Sequence, residues 1–176
     1  RDYHFNKVKT FHHMMDERTQ EEPRAWDLEG ATHRAGFKIE ELVEFVRAAS
    51  PSEEDFGQAL SQLHQALDKA ADKVAKKTPA QQDLIGQVDA LIDTLYFTYG
   101  SFVLMGVDPE RIFDIVHQAN MGKIFPDGKA HFDPVTHKIL KPDDWEEKYA
   151  PEPAIKKELQ RQLKAYERHK ERNNTQ

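Results

Sequence analysis

The stretch Asp89-Ala90-Leu91-Ile92-Asp93-Thr94-Leu95-Tyr96-Phe97 is the one around which the other segments arrange themselves. It predicts the middle of a helix from about Gln82 to Met105, with Leu84, Ile85, Val88, Leu91, Ile92, Leu95, Phe102 and Val103 recurring at helical spacing as a core stripe. Ala90, Tyr96, Phe97, Gly100 and Leu104 carry apolar character to the other faces. A helix apolar all round is expected to be buried. Asp89 and Asp93 stand one turn apart on it, so two carboxylates share one side of a helix headed for desolvation. They repel each other and resist burial unless something positive sits against them, and a metal ion is the most economical candidate.

Upstream, a helix from about Leu28 to Ala49, stopped by Ser50-Pro51, has Ala35, Ile39, Leu42, Val43 and Val46 as its core stripe. Glu40, Glu41 and Glu44 share the opposite side at spacings of three and four. Two readings are open: a solvated face, the ordinary fate of charges opposite an apolar stripe, or a set of metal ligands. Phe37 and Phe45 flank the acidic side, and only Lys38 and Arg47 are near enough in sequence to neutralise it, which weakens the first reading and leaves both open.

Further out the signals are structural. Phe5, Val8, Phe11 and Met15 predict an amphipathic helix from Asp2 to about Arg18, on which His12 and Asp16 are one turn apart, either as metal ligands or merely solvated. Ser50-Pro51-Ser52-Glu53 opens a helix to about Lys77, with a cap, a Pro at N1 and an acidic first turn. Its seam of Phe56, Leu60, Leu63, Leu67, Ala70 and Val74 suits packing against one neighbour, in the same chain or another copy. Asp108-Pro109-Glu110 opens a helix that ends near Lys123, where Asn120 and Lys123 project from one face. They either cap the last carbonyls or contact phosphate. After Phe125 the helical period is lost, and Ala130 to Phe132 could pair with Lys138 to Leu140 in a small hairpin within a loop made basic by Lys129, Lys138 and Lys141. Ile155, Leu159, Leu163 and Tyr166 mark a last helix, followed by a polar tail from Glu167 expected to fray.

The expected architecture is an all-α helical bundle, with an irregular or hairpin loop near 125–142 and a C-terminal helix. The expected division is a domain over 1–150, then the helix and charged tail of 151–176. A chain of 176 residues can bury a sizeable core, and a net charge of −6 disfavours a general nucleic-acid binder. The absence of cysteine excludes a disulfide framework, a thiolate nucleophile and a Cys-type zinc site. No apolar run approaches the ~20 residues a bilayer demands, so neither membrane span nor secretory leader is expected, and cytoplasm is the expected compartment. No Gly-rich phosphate loop is present. Hard oxygen donors without Cys or matched His select Mg²⁺, or Mn²⁺, over zinc and copper. A di-iron bundle would call for Glu-x-x-His pairs that the sequence lacks. Because Mg²⁺ shares oxygens with substrate phosphates, a phosphate-bearing substrate is the natural inference.

Glu40-Glu41-Leu42-Val43-Glu44 resembles the Glu-Glu-x-x-Glu signature of the all-α nucleoside triphosphate pyrophosphohydrolases, the MazG-like, dimeric dUTPase and phosphoribosyl-ATP pyrophosphohydrolase group. Ala90 to Phe97 resembles its second signature, Glu-x-x-Asp before Leu-hydrophobic-Tyr/Phe, and Val116 to Lys123, Asp127-Gly128-Lys129 and Leu140-Lys141-Pro142 are similar to one branch of the group. The likeness covers roughly Ala31 to Trp145. One acid of the second signature falls on Ala90, for which Asp89 is the available stand-in, leaving the number of metal ions open.

The resemblance implies hydrolysis of a nucleoside triphosphate to the monophosphate and pyrophosphate. It implies Glu41, Glu44 and Asp93 as ligands of the main Mg²⁺, with Glu40 on a second ion or as the base toward water. Asn120 and Lys123, with Lys129, would bind phosphates, and Tyr96 would stack on the base or simply pack. It also implies a homodimer or dimer of dimers. The alternative is a non-catalytic helical dimerisation or adaptor domain whose acidic faces only solvate it. Base preference is not readable from the chain.

Overall fold

The structure, a computed structural model, describes residues 3–15, 20–79 and 81–176. Its helices are α1 (Tyr3–Met15), α2 (Leu28–Ala49), α3 (Glu53–Val74), α4 (Leu84–Met105), α5 (Glu110–Met121), α6 (Trp145–Tyr149) and α7 (Glu152–Asn174). The fold is all-α: among the described residues, extended pairing is confined to one antiparallel bridge between Phe132 and Ile139, the expected hairpin at its minimum. The chain divides into two units, Glu22–Asp93 on the one hand and Arg1–Glu21 with Thr94–Gln176 on the other, and α4 is continuous through the division.

In the Glu22–Asp93 unit, Asp27 caps α2 by accepting a hydrogen bond from the Gly30 N–H at 2.8 Å. The next start signal is divided between two serines. Ser50 closes α2, its N–H donating to the Arg47 carbonyl, and Ser52 opens α3 by accepting from the Asp55 N–H at 3.1 Å. Pro51 therefore precedes the cap rather than following it. The α2 and α3 helices form a hairpin in which Val43, Val46, Phe56, Leu60 and Leu63, near the connection, are half-buried, while Ile39, Leu42, Leu67 and Val74 stay exposed. The start of α4 is tied down by Gln87, whose side-chain amide accepts from the Trp26 N–H at 2.8 Å and donates to the Trp26 carbonyl at 3.0 Å.

In the other unit, α5 carries α1, α6 and α7. His4 stacks on Phe113 at 4.0 Å between ring centres and hydrogen-bonds the Tyr99 hydroxyl at 3.2 Å, and Lys7 pairs with Asp114. The face that α1 turns to α5 therefore carries His4 and Lys7. Of the expected stripe, Phe5 and Val8 remain exposed, because a stacked imidazole and an ion pair hold the helix in this rotation. Asp16 lies outside the described residues, so its pairing with His12 does too. Partial burial, with the Lys7 charge adding to it and Asp114 opposing, holds His117 below the usual imidazole value.

Gly106 ends α4 in the left-handed conformation, φ 70°, with Val107 N–H reaching back to the Phe102 carbonyl at 3.1 Å. This is the closure only glycine makes without strain. Gly122, after α5, leaves room for the Tyr149 ring, which a Cβ would overlap. α7 runs to Asn174, past the point where its apolar period ends. Strong helix formers and links such as Asn173 to His169 at 3.1 Å keep the polar tail helical where fraying was expected.

The expected burial of α4 is not met within one copy. In neither unit does another helix pack along it. Ile85 is 84 % exposed and Leu104 90 %, and Val88, Leu91, Ile92, Leu95, Tyr96, Phe97 and Val103 are also exposed. The chain presents 15114 Å² to solvent. Among the described residues no helix is long and apolar enough to cross a membrane.

Candidate functional site

Glu40, Glu41 and Glu44 lie exposed on α2. The two cations near them in sequence are engaged elsewhere. Lys38 donates to the Arg34 carbonyl at 3.3 Å, its pKa lowered by desolvation and by the Arg34 charge. Arg47 pairs with Glu53 and covers the Phe56 ring at 4.9 Å. Among the described residues, neither Glu40 nor Glu44 forms an ion pair.

Asp89 and Asp93 are exposed on the first half of α4, likewise without an ion-pair partner among the described residues. The capping work at that helix start is done by Asp83, which accepts from the Gly86 N–H at 2.9 Å. A single copy does not bring the two acidic faces together: α2 packs on α3 and not on α4, and no three carboxylate or imidazole groups among the described residues converge on one point. The donor set itself, all hard oxygen, fits Mg²⁺. One copy leaves it unclosed.

The expected phosphate residues sit in the other unit. Asn120 Oδ1 accepts from Lys123 Nζ at 3.0 Å, so the amide orients the ammonium, and both residues are half-buried. Lys129 is exposed at the end of a tight turn, where its N–H donates to Asp127 Oδ1 at 3.0 Å and its carbonyl accepts from the Phe125 N–H at 3.0 Å. Asp127 also holds His131 at 2.8 Å, and the His131 ring stacks on Phe125 at 3.9 Å. The hydrogen bond from His131, then that from the Lys129 N–H, holds the Asp127 carboxyl below its ordinary value. Tyr96 is exposed on α4.

Trp145 has no sequence spacing that would single it out. The residue is 6 % exposed, and its Nε1–H donates to the Ala119 carbonyl at 2.8 Å. The Lys141 ammonium lies 4.2 Å from the ring centre and the Lys123 ammonium 5.7 Å. Burial of Trp145 against α5 thus gathers a loop lysine and a helix-end lysine around one ring.

The fold is thus an all-α one with carboxylates on two helices and a lysine group at the end of a third. Residues 8–120 match the family model of phosphoribosyl-ATP pyrophosphohydrolase. The chain is also similar to a crystal structure from Exiguobacterium sp. 255-15 that carries the provisional name NTP pyrophosphohydrolase, with 39% identity, a TM-score of 0.86, and coverage of 93% of this chain and 98% of that one. No curated protein matches the sequence. The chain belongs to the phosphoribosyl-ATP pyrophosphohydrolase family, within the all-α NTP pyrophosphohydrolase superfamily.

Proposed function

We propose that this protein is a Mg²⁺-dependent nucleoside triphosphate pyrophosphohydrolase of the cytoplasmic nucleotide pool, working as a homodimer or dimer of dimers, with Mn²⁺ as the substitute metal. The observation that carries the proposal is α4. It is apolar on nearly every face, has no helix along it within either unit, and bears Asp89 and Asp93, neither of which has an ion-pair partner among the described residues. A second copy covering α4 would bury that surface and bring α4 carboxylates against the Glu40, Glu41 and Glu44 face of a partner α2.

In the reaction, the oxygen of water attacks the α-phosphorus, the bond to the bridging oxygen of the β-phosphate breaks, and monophosphate and pyrophosphate leave. Glu41, Glu44 and Asp93 would hold the main Mg²⁺, and Glu40, with Asp89, would serve a second ion. Bound Mg²⁺ supplies neutralisation of phosphate oxygens and acidification of coordinated water. Glu40 also takes the proton of the attacking water. Asn120 and Lys123, with Lys129, hold the phosphates, which are positioned for displacement without a covalent intermediate. Tyr96 offers its ring to the base.

The alternative, a dimerisation or adaptor domain, shares the exposed α4 but gives the carboxylates no task. A screen of nucleoside triphosphates for pyrophosphate release with Mg²⁺ and Mn²⁺ tests the activity. Melting with Mg²⁺ and a non-hydrolysable triphosphate separates the readings, since a ligand of the folded state must raise the Tm. No release and no shift would leave the adaptor.

A further inference from the structure

We infer that the hollow over Gly36 on α2, walled by His33 and Phe37, seats the nucleobase of the substrate, which makes these residues determinants of base specificity. The inference rests on the proposed hydrolase reading and deepens it, by giving the unreacting part of the substrate a place on the helix face that bears the carboxylates. Thr32, Gly36 and Glu40 follow one another at one-turn intervals, and His33, Phe37 and Glu44 form the row beside them. The groove over these rows is open, has a volume of about 570 Å³ and runs from Glu29 to Glu40, within the size range of small-molecule sites. Its last wall, Glu40, is a carboxylate of the proposed reaction, so the groove and the reacting end are continuous. At 1.5 Å of rise per residue, Gly36 and His33 stand about 6 and 10 Å from Glu40 along the axis, the reach of a nucleoside whose α-phosphate lies at the acidic face. In the other direction, past Glu44, the same face carries Arg47, which is paired with Glu53 and closed over the Phe56 ring. The open aromatic surface on this face therefore lies on the Gly36 side.

An interior glycine weakens a helix, and at Gly36 no atom of the described residues comes within 4 Å of where a Cβ would stand. The backbone there is a bare floor that a flat ring can approach. The His33 and Phe37 rings meet edge to face, with centres 4.8 Å apart and planes at 72°, so each fixes the other's orientation. Arg34 adds its guanidinium 5.6 Å from the Phe37 centre, yet about half of Phe37 stays exposed. The Thr32 hydroxyl is committed to the Leu28 carbonyl at 2.7 Å. The ring nitrogens of His33 have no hydrogen-bond partner among the described residues, which leaves them free to read the edge of a base whose face lies on the aromatic wall.

The test uses the full chain with Mg²⁺ and two probes: the α,β-methylene analogues of the common deoxynucleoside triphosphates, and inorganic tripolyphosphate, which has the phosphates without the nucleoside. Gly36→Leu, which fills the hollow, should weaken binding of the analogues about tenfold and leave tripolyphosphate unchanged, since a stacked base contributes binding of that order. His33→Ala should reorder kcat/KM among the bases, again with tripolyphosphate unchanged. Phe37→Leu, which keeps an apolar side chain and removes the ring, reads the same contrast where Gly36→Leu does not fold. Unchanged analogue affinity in the folded variants would overturn the seat. So would an equal loss for both probes together with a shift toward monomer in sedimentation, which would make Gly36 part of a helix contact. In either case pyrophosphate release by wild type keeps the hydrolase reading. If wild type releases no pyrophosphate yet binds the analogues in a Gly36-dependent way, the hydrolase reading fails and the seat holds. If it neither releases pyrophosphate nor binds the analogues, both fail.

Discussion

Glu44 and Asp93 occupy the positions on which hydrolysis should depend most, since each is an exposed carboxylate without an ion-pair partner among the described residues. Glu44→Ala and Asp93→Ala are each expected to abolish Mg²⁺-dependent pyrophosphate release while circular dichroism shows helical content preserved. Retained turnover in either would remove that residue from the ligand set. Both residues were legible as candidates because helical spacing puts charges on a definite side. Trp145 was not, and Lys141 was legible only as part of a basic loop and of Leu140-Lys141-Pro142, without its place beside that ring. What makes them significant is a hydrogen bond to the Ala119 carbonyl and a contact over a ring, and neither leaves a period in the sequence.

The helices divide into those held by apolar burial and those held by polar locks. α7 belongs to the second kind. Glu158 is buried and receives Arg161 through Nε at 2.9 Å and through Nη2 at 2.7 Å, with Gln162 Nε2 at 3.2 Å. Gln162 in turn binds both the N–H and the carbonyl of Asp108 at 2.9 Å, joining α7 to the start of α5. These hydrogen bonds, Arg161 first, lower the Glu158 carboxyl to about 2. A carboxylate depressed in the folded state binds fewer protons there than in the unfolded chain. The stability it adds is present above its ordinary value, near 4.5, and is lost as pH falls from there through about 2. Thermal melts across that window should show Tm falling less steeply with acid in Glu158→Gln than in wild type. A capping signal read from sequence placed α3 within two residues, whereas the rotation of α1 escaped it, because a stripe of Phe5 and Val8 says nothing about a competing stack between His4 and Phe113.

Across the chain, the exposed area of α4 is the dominant fact. Sedimentation of wild type should give a dimer or larger species, and Leu104→Glu, which puts a charge where an apolar side chain is 90 % exposed, should shift it toward monomer. If α2 of one copy meets α4 of another, mixed subunits of Glu44→Ala and Asp93→Ala should regain activity. The recovery expected is about a quarter of wild type, since half of randomly formed dimers are mixed and each of those has one intact site. No recovery, with mixed dimers present, would mean each site is built within one copy.

The sequence by itself determined the all-α class, the helix order and the acidic faces of α2 and α4, because each follows from spacing along a helix and from caps a few residues apart. Only tertiary structure decided that α2 pairs with α3, that α1 meets α5 through His4 and Lys7, and that α4 has no helix along it within either unit. Those outcomes depend on which surfaces find partners. An apolar stripe demands a partner without naming one, and burial is a property of contacts, not of the residues that seek them.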